Sequence, residues 1–171
     1  GAYLEQVIAA VAANGLDGYS FTGIPNASVP ARAEAAALIV SKLSAAKTDG
    51  QVLVFEGNPL FVADADRAKV DYFVLDTETT TNATELKLQV RNATEYAAVP
   101  AEKLLLAAAA GAPLNDEESV EQVAITEMAG RVVSLGPLCG LAAYDIDNDY
   151  YDLDMNYKVI RNAIQTLNPS K

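Results

Sequence analysis

The sequence predicts an α/β protein built on a parallel sheet, and three observations carry that prediction. Short continuous apolar runs alternate with segments of helical period along the whole chain. The runs are closed by Gly, Asn, Asp and Pro. The 171 residues are 51% apolar, enough to bury a sizeable core in one domain, 1–171. Parallel neighbours need a crossover, and the crossover is usually a helix.

Leu4, Val7, Ile8 and Val11 recur at helical spacing and predict a helix over 3–13, stopped by Asn14 and Gly15. A strand over 16–21 follows, closed by Gly23 and Pro25, then a helix over 31–46 with Ala35, Leu38, Ile39 and Leu43 on one face. After the Asp49-Gly50 turn signal, 52–55 reads as a strand buried on both sides, ended by Gly57, Asn58 and Pro59. A short helix near 63–68, a buried strand over 70–75, a polar loop over 77–81 and a helix over 85–96 come next. Residues 103–109 predict a fourth strand, although the alanines would equally suit a helix. Helix 119–133 carries Val120, Val123, Ala124 and Met128 on one face, with acidic residues at its start. Strand 140–144 and helix 157–167 close the chain. An open doubly wound sheet and part of a (β/α)8 barrel both fit; a complete barrel takes roughly 250 residues, so five units cannot close one.

Composition excludes several chemistries. With 12 basic and 23 acidic residues the net charge is −11, which repels nucleic acid and anionic membranes. Histidine is absent, removing Ser-His and Cys-His nucleophiles and imidazole acid-base catalysis. A single cysteine, Cys139, allows no intramolecular disulfide and no thiolate zinc site; it reads as a small buried residue. No apolar run is long enough to span a bilayer, no signal peptide is visible, and no phosphate-cradling glycine loop occurs, so no cofactor is expected.

The segment Gly15-Leu16-Asp17-Gly18-Tyr19-Ser20-Phe21-Thr22-Gly23-Ile24 resembles the fourth strand of family 18 glycoside hydrolases, the chitinases and endo-β-N-acetylglucosaminidases, whose motif runs D-G-x-D-x-D-x-E. Residues 140–145 and 157–169 resemble the last strand and helix of the family 18-like proteins of Bacteroidetes glycan-utilisation systems; 52–59 and 70–78 resemble the fifth and sixth strands. The resemblance implies a (β/α)8 TIM-barrel-like fold with strands four to eight present, a partial barrel whose other strands would come from elsewhere and could associate with this part. It also implies export to the cell surface or periplasm and a carbohydrate partner containing N-acetylglucosamine.

Position by position, the family's three acids fall on Ser20, Thr22 and Ile24, while Asp17 and Gly18 are kept. In those enzymes the terminal Glu protonates the glycosidic oxygen and a neighbouring Asp holds the substrate's N-acetyl group as it attacks. Isoleucine has no proton to give, and hydroxyls are too weakly acidic to substitute, so no catalytic residue is expected on this strand. The family's sixth-strand Tyr falls near Glu78, a further departure. The expectation is a non-catalytic glycan-binding protein, with Glu56, Asn58, Asp76, Glu78 and Tyr144 at strand ends as ligand contacts. The alternatives are an active glycosidase with relocated carboxylates, or a scaffold without ligand. Glu56 and Asp76 could equally cap helices or bind loop amides. Tyr144 reads as a stacking platform for a sugar ring or as core filling.

Asp145, Asp147 and Asp149 open an EF-hand-like run, but Tyr150 stands where the loop needs Gly and Asn156 where it needs Glu, so a solvated acidic loop is expected. Asn26, Asn82 and Asn92 match the N-glycosylation pattern, which has no meaning in a bacterial protein.

Overall fold

The computed structural model describes residues 2–23, 28–110, 123–150 and 157–169. Helix α1 (Ala2–Asn14) buries Val11 and stops at Gly15, whose φ of 60° is the left-handed turn that ends helices most cheaply at glycine. Strand β1 (Gly18–Thr22) leads to α2 (Val29–Ala46), and β2 (Val52–Glu56) to a 3-10 turn at Pro59–Phe61 and the short α3 (Asp64–Arg67). Strand β3 (Tyr72–Leu75) is followed by α4 (Ala83–Arg91), which runs on into a π-helical turn at Asn92–Tyr96. Then come β4 (Leu104–Ala109), α5 (Ile125–Leu135), β5 (Gly140–Tyr144), α6 (Ile146–Tyr150) and α7 (Lys158–Leu167).

All five strands are parallel and pair in chain order, β1-β2-β3-β4-β5. A doubly wound sheet reverses direction at a switch point; an unbroken sequential order is the signature of a barrel wall. The sheet is also curled. Strands lie about 4.8 Å apart, so β2 and β5 would be separated by roughly 14 Å in a flat sheet. Yet the Tyr144 hydroxyl on β5 meets Glu56 on β2 at 3.0 Å. Side chains three strands apart touch because the sheet wraps toward itself, as the arc of a barrel does.

The convex face carries the core. Leu53, Phe55, Phe73, Leu104, Leu106 and Ala108 are sealed between the sheet and Val40 and Leu43 of α2, Leu86 and Val90 of α4, and Met128, Ala129 and Val132 of α5. Phe21, Phe55 and Phe73 stack edge-wise across three strands, with ring centroids 5.1 and 6.0 Å apart; each fully buried phenylalanine contributes about 1.5–3 kcal/mol. Gly18 is required where β1 meets β2: a Cβ there would lie 2.0 Å from the Val52 carbonyl oxygen, and its φ is 149°. At the amino end of the strands, Asp71 accepts from Lys47 Nζ at 2.5 Å and from the Leu53 amide at 2.7 Å. Burial opposes ionisation of Asp71, but Lys47 and the Leu53 amide outweigh it and hold its carboxyl below the usual value.

The structure corrects several expectations. β1 begins at Gly18 rather than 16 because Leu16 N is spent on Val11 O, 3.1 Å away at the end of α1; β3 begins at Tyr72 because Val70 N closes a turn on Arg67 O. α5 begins at Ile125, not 119: Ala124 bridges Ala109 in parallel and Val123 N donates to Glu78 O at 2.8 Å, so sheet-edge pairing wins over helix propensity at these two residues. Val120, Asn115 and the acidic residues 116–118 lie outside the described residues. Cys139 is exposed, because it enters β5, the last strand of the described sheet. The acidic segment is not simply solvated loop: 146–150 is helical, and Asp149, 3% exposed, caps α7 by accepting from Val159 N at 3.1 Å and Ile160 N at 2.8 Å. Its continuation through Asp152, Asp154 and Asn156 lies outside the described residues. The polar loop 77–81 holds two buried threonines: Thr77 Oγ1 donates to Ala107 O at 2.8 Å, and Thr80 pairs with Gln89.

Candidate functional site

The carboxyl ends of the strands gather the titratable side chains that chemistry would need. Register sets Thr22, Glu56 and Val74 in one row and pairs Ala109 with Tyr144 in another. Glu56, the last residue of β2, is gripped from both sides: Ser20 Oγ donates to Oε1 at 2.5 Å, and Tyr144 Oη donates to Oε2 at 3.0 Å. It therefore caps no helix. The two hydroxyls fix its orientation from β1 and β5, with the side chain half-buried.

Asp76 and Glu78 follow β3 on the same rim. Burial, then the negative charges of Glu78 and Glu56, push the Asp76 carboxyl above its usual value. Burial, the hydrogen bond to Glu56 and the charges of Glu56, Asp76 and Glu78 together push the Tyr144 phenol well up, so that it stays a hydrogen-bond donor. Glu56 and Glu78 thus act on both Asp76 and Tyr144, and Asp76 acts on Tyr144 as well. Glu78 Oε2 is buried and accepts no hydrogen bond among the described residues. No ion pair joins Glu56, Asp76 or Glu78 to a lysine or arginine among those residues.

Beside Asp76 opens a cleft lined by Gly57, Asn58, Pro59, Leu75, Gln89 and Asn92. Asn58 Oδ1 accepts from Leu60 N at 3.0 Å and caps the 3-10 turn. Gln89 and Asn92, three residues apart on one helical face, add two amides that sequence reasoning missed; their i, i+3 spacing on a helix following a candidate strand end was the available signal.

The structure thus joins Glu56 to Tyr144 and adds Ser20, sets Asp76 with Asn58 on the adjoining cleft, and leaves Glu78 in the loop after β3 with no hydrogen bond to the others among the described residues. Thr22 is exposed at the end of β1, and Ile24 lies outside the described residues. Tyr144 neither fills the core nor is free to act through its ring alone, because its hydroxyl is committed to Glu56. Asp17 contributes its backbone: its carbonyl accepts from Val52 N at 2.9 Å. Among the described residues no group of three or more carboxylate or thiol side chains has metal-holding geometry, and no helix is long and apolar enough to cross a membrane.

No protein-family model matches the sequence, and no curated protein matches it. Solved structures do. A family 18 chitinase from Pseudoalteromonas aurantia superposes with a TM-score of 0.76 at 14% identity, over 96% of this chain and 67% of that one. A chitinase from Bacteroides thetaiotaomicron gives 0.74 at 10% identity, over 96% and 67%. An endo-β-N-acetylglucosaminidase from Cordyceps militaris gives 0.65 at 15% identity, over 97% and 61%. The fold is therefore that of the family 18 barrels, and the chain spans 58% to 67% of the length of the solved chains it matches first.

Proposed function

We propose that this chain is the strand-four-to-eight part of a family 18-like barrel whose rim binds a carbohydrate without cleaving it. The observation that carries the reading is Glu56, a carboxylate held by two hydroxyl donors, Ser20 at 2.5 Å and Tyr144 at 3.0 Å, at the carboxyl end of the strands. A carboxylate fixed in this way is an acceptor for ligand hydroxyls, and a hydrogen bond to a charged acceptor contributes about 1.5–3 kcal/mol. The cleft amides of Asn58, Gln89 and Asn92 supply donors and acceptors on the same rim. Neither Ser20 nor Thr22 on β1 can protonate a glycosidic oxygen.

A hexosamine-containing chain such as an N-acetylglucosamine oligomer or an N-glycan is the ligand class to which the resemblance leads, with a role in glycan capture at a cell surface or in the periplasm. Isothermal titration of chito-oligosaccharides and N-glycans should give saturable heat that falls away in Glu56→Ala. Absence of heat with all of them removes the proposal.

One observation favours a second reading, hydrolysis by relocated carboxylates: Asp76 keeps its proton to higher pH than an ordinary aspartate, beside another carboxylate, a pattern that assigns acid and base roles in many hydrolases. Turnover of a chitobiose-type substrate, lost in Asp76→Asn and Glu56→Gln, would establish it. A rim that neither binds nor cleaves any sugar leaves the scaffold reading.

A further inference from the structure

The cleft beside Asp76 holds about 190 Å3, and a larger one of about 410 Å3 adjoins it on the outer flank of the sheet. Ligand sites commonly hold about 300–1,000 Å3, so the rim cleft alone falls short of that size and the flank cleft reaches it. One wall is common to both. The π-helical turn Asn92–Tyr96 sets its first residue on the rim cleft and its last on the flank cleft, and Ala97 N, on the flank side, donates to Asn92 O at 3.0 Å. Arg67 ties the opposite wall across: its Nε donates to Pro59 O at 3.1 Å, on the rim cleft, and its Nη1 to Ala97 O at 2.8 Å, on the flank cleft. π-Helical turns are rare and recur at functional sites.

The flank cleft has an apolar floor, Phe73 and Val99, and exposed Ala68, Ala98, Pro100 and Tyr96 at its mouth. Tyr96 is 64% exposed, so its ring is open to solvent. Ala98 takes the left-handed conformation, φ 51°, at the end of the turn, where glycine is the ordinary choice; alanine keeps a methyl on the cleft wall. Polar groups stand at the edge. Lys103 Nζ spends one of its three protons on Val70 O at 2.8 Å, and Asp64 is paired with Arg67 at 2.5 Å. An open aromatic ring with few polar groups and little net charge suits a neutral chain that presents apolar ring faces and hydroxyls. We propose that a carbohydrate chain held at the rim continues past Asn92 into the flank cleft, where one of its rings stacks on Tyr96. The proposal rests on the reading of the rim as a carbohydrate site and narrows its ligand to a neutral oligosaccharide long enough to span both clefts.

The test is calorimetric titration of the wild-type chain, Tyr96→Ala, Tyr96→Phe and Ala68→Gln with N-acetylglucosamine oligomers of two and of six units. The six-unit oligomer should bind wild type roughly tenfold or more tightly than the two-unit one. Tyr96→Ala should weaken six-unit binding roughly fivefold or more and leave two-unit binding within about twofold. Tyr96→Phe, which keeps the ring, should bind both as wild type does. Ala68→Gln, which narrows the mouth, should weaken the six-unit oligomer alone. Tyr96 and Ala68 are both exposed, so the variants should fold, as thermal melting checks. Equal affinity for the two lengths, or a length preference that survives Tyr96→Ala, overturns the inference and leaves the rim reading standing. No heat from either oligomer overturns the inference, and with N-glycans silent as well the rim reading falls too.

Discussion

Replacing Tyr144 with phenylalanine separates two roles that the residue could play on this rim. The substitution keeps the ring and deletes one hydroxyl, the donor that meets Glu56 Oε2 at 3.0 Å. Glu56 keeps Ser20 at 2.5 Å on its other oxygen, so the carboxylate loses one of two restraints. Hydrogen bonds to charged groups contribute about 1.5–3 kcal/mol, and this one is half-exposed, so about 1–2 kcal/mol is the appropriate scale. If Glu56 is the ligand's acceptor, Tyr144→Phe weakens sugar binding by roughly 5–30-fold. The melting temperature falls by about 2–4 °C for each kcal/mol lost from the fold itself, which a thermal scan reads separately. Ser20→Ala releases the opposite oxygen, and because both residues act through one carboxylate, the double variant is non-additive. Titration calorimetry on the two single variants and the double closes the cycle. Wild-type affinity in Tyr144→Phe, with affinity lost only in Tyr144→Ala, would refute the reasoning: the ring face, not the hydroxyl, would then be the contributing feature.

Three further substitutions test the frame around the site. Gly18→Ala places a Cβ 2.0 Å from Val52 O at φ 149°, so β1 must move away from β2; chemical denaturation should show a loss above the 1–3 kcal/mol range of backbone strain, and an unchanged midpoint would contradict the register described. Asp149→Ala removes the acceptor for two amides at the start of α7 and should cost about 1 kcal/mol in the same assay. Asp71 has a folded-state value below its unfolded one, so its contribution is present above the ordinary aspartate range and disappears as pH falls through the lowered value; stability of Asp71→Asn should be lower than wild type at neutral pH and converge with it in acid.

The sequence disclosed the elements better than it disclosed the site. Apolar runs such as 52–55 and 104–109 could be read because strands of a parallel sheet need no polar alternation, although only β4 is buried nearly throughout and in β2 Leu53 and Phe55 alone are fully covered. α5 was mislocated at its start because Val123 and Ala124 satisfy the helical period equally well; what decides their state is a long-range bridge to Ala109 and a hydrogen bond to Glu78 O, neither encoded locally. Cys139 was misread for a related reason, since burial of a residue entering β5 depends on what stands beside that strand. At the site, each carboxylate was visible as a residue after an apolar run. Their convergence was not, because it requires the curl that brings β5 over β2. Ser20 is the clearest case: its identity in sequence is only the absence of an acid, and its role as a donor to Glu56 exists through register with a strand 36 residues away.

The central claim, a rim that binds sugar and leaves it intact, is tested most directly by titrating a two-unit chito-oligosaccharide into isotope-labelled protein and following both partners by nuclear magnetic resonance. The account predicts saturable shifts confined to Ser20, Glu56, Asp76, Glu78, Tyr144 and their strand-end neighbours, with the sugar's glycosidic signals unchanged over days. Shifts centred on the amino-terminal end around Lys47 and Asp71, or new reducing-end signals from cleaved sugar, would contradict it.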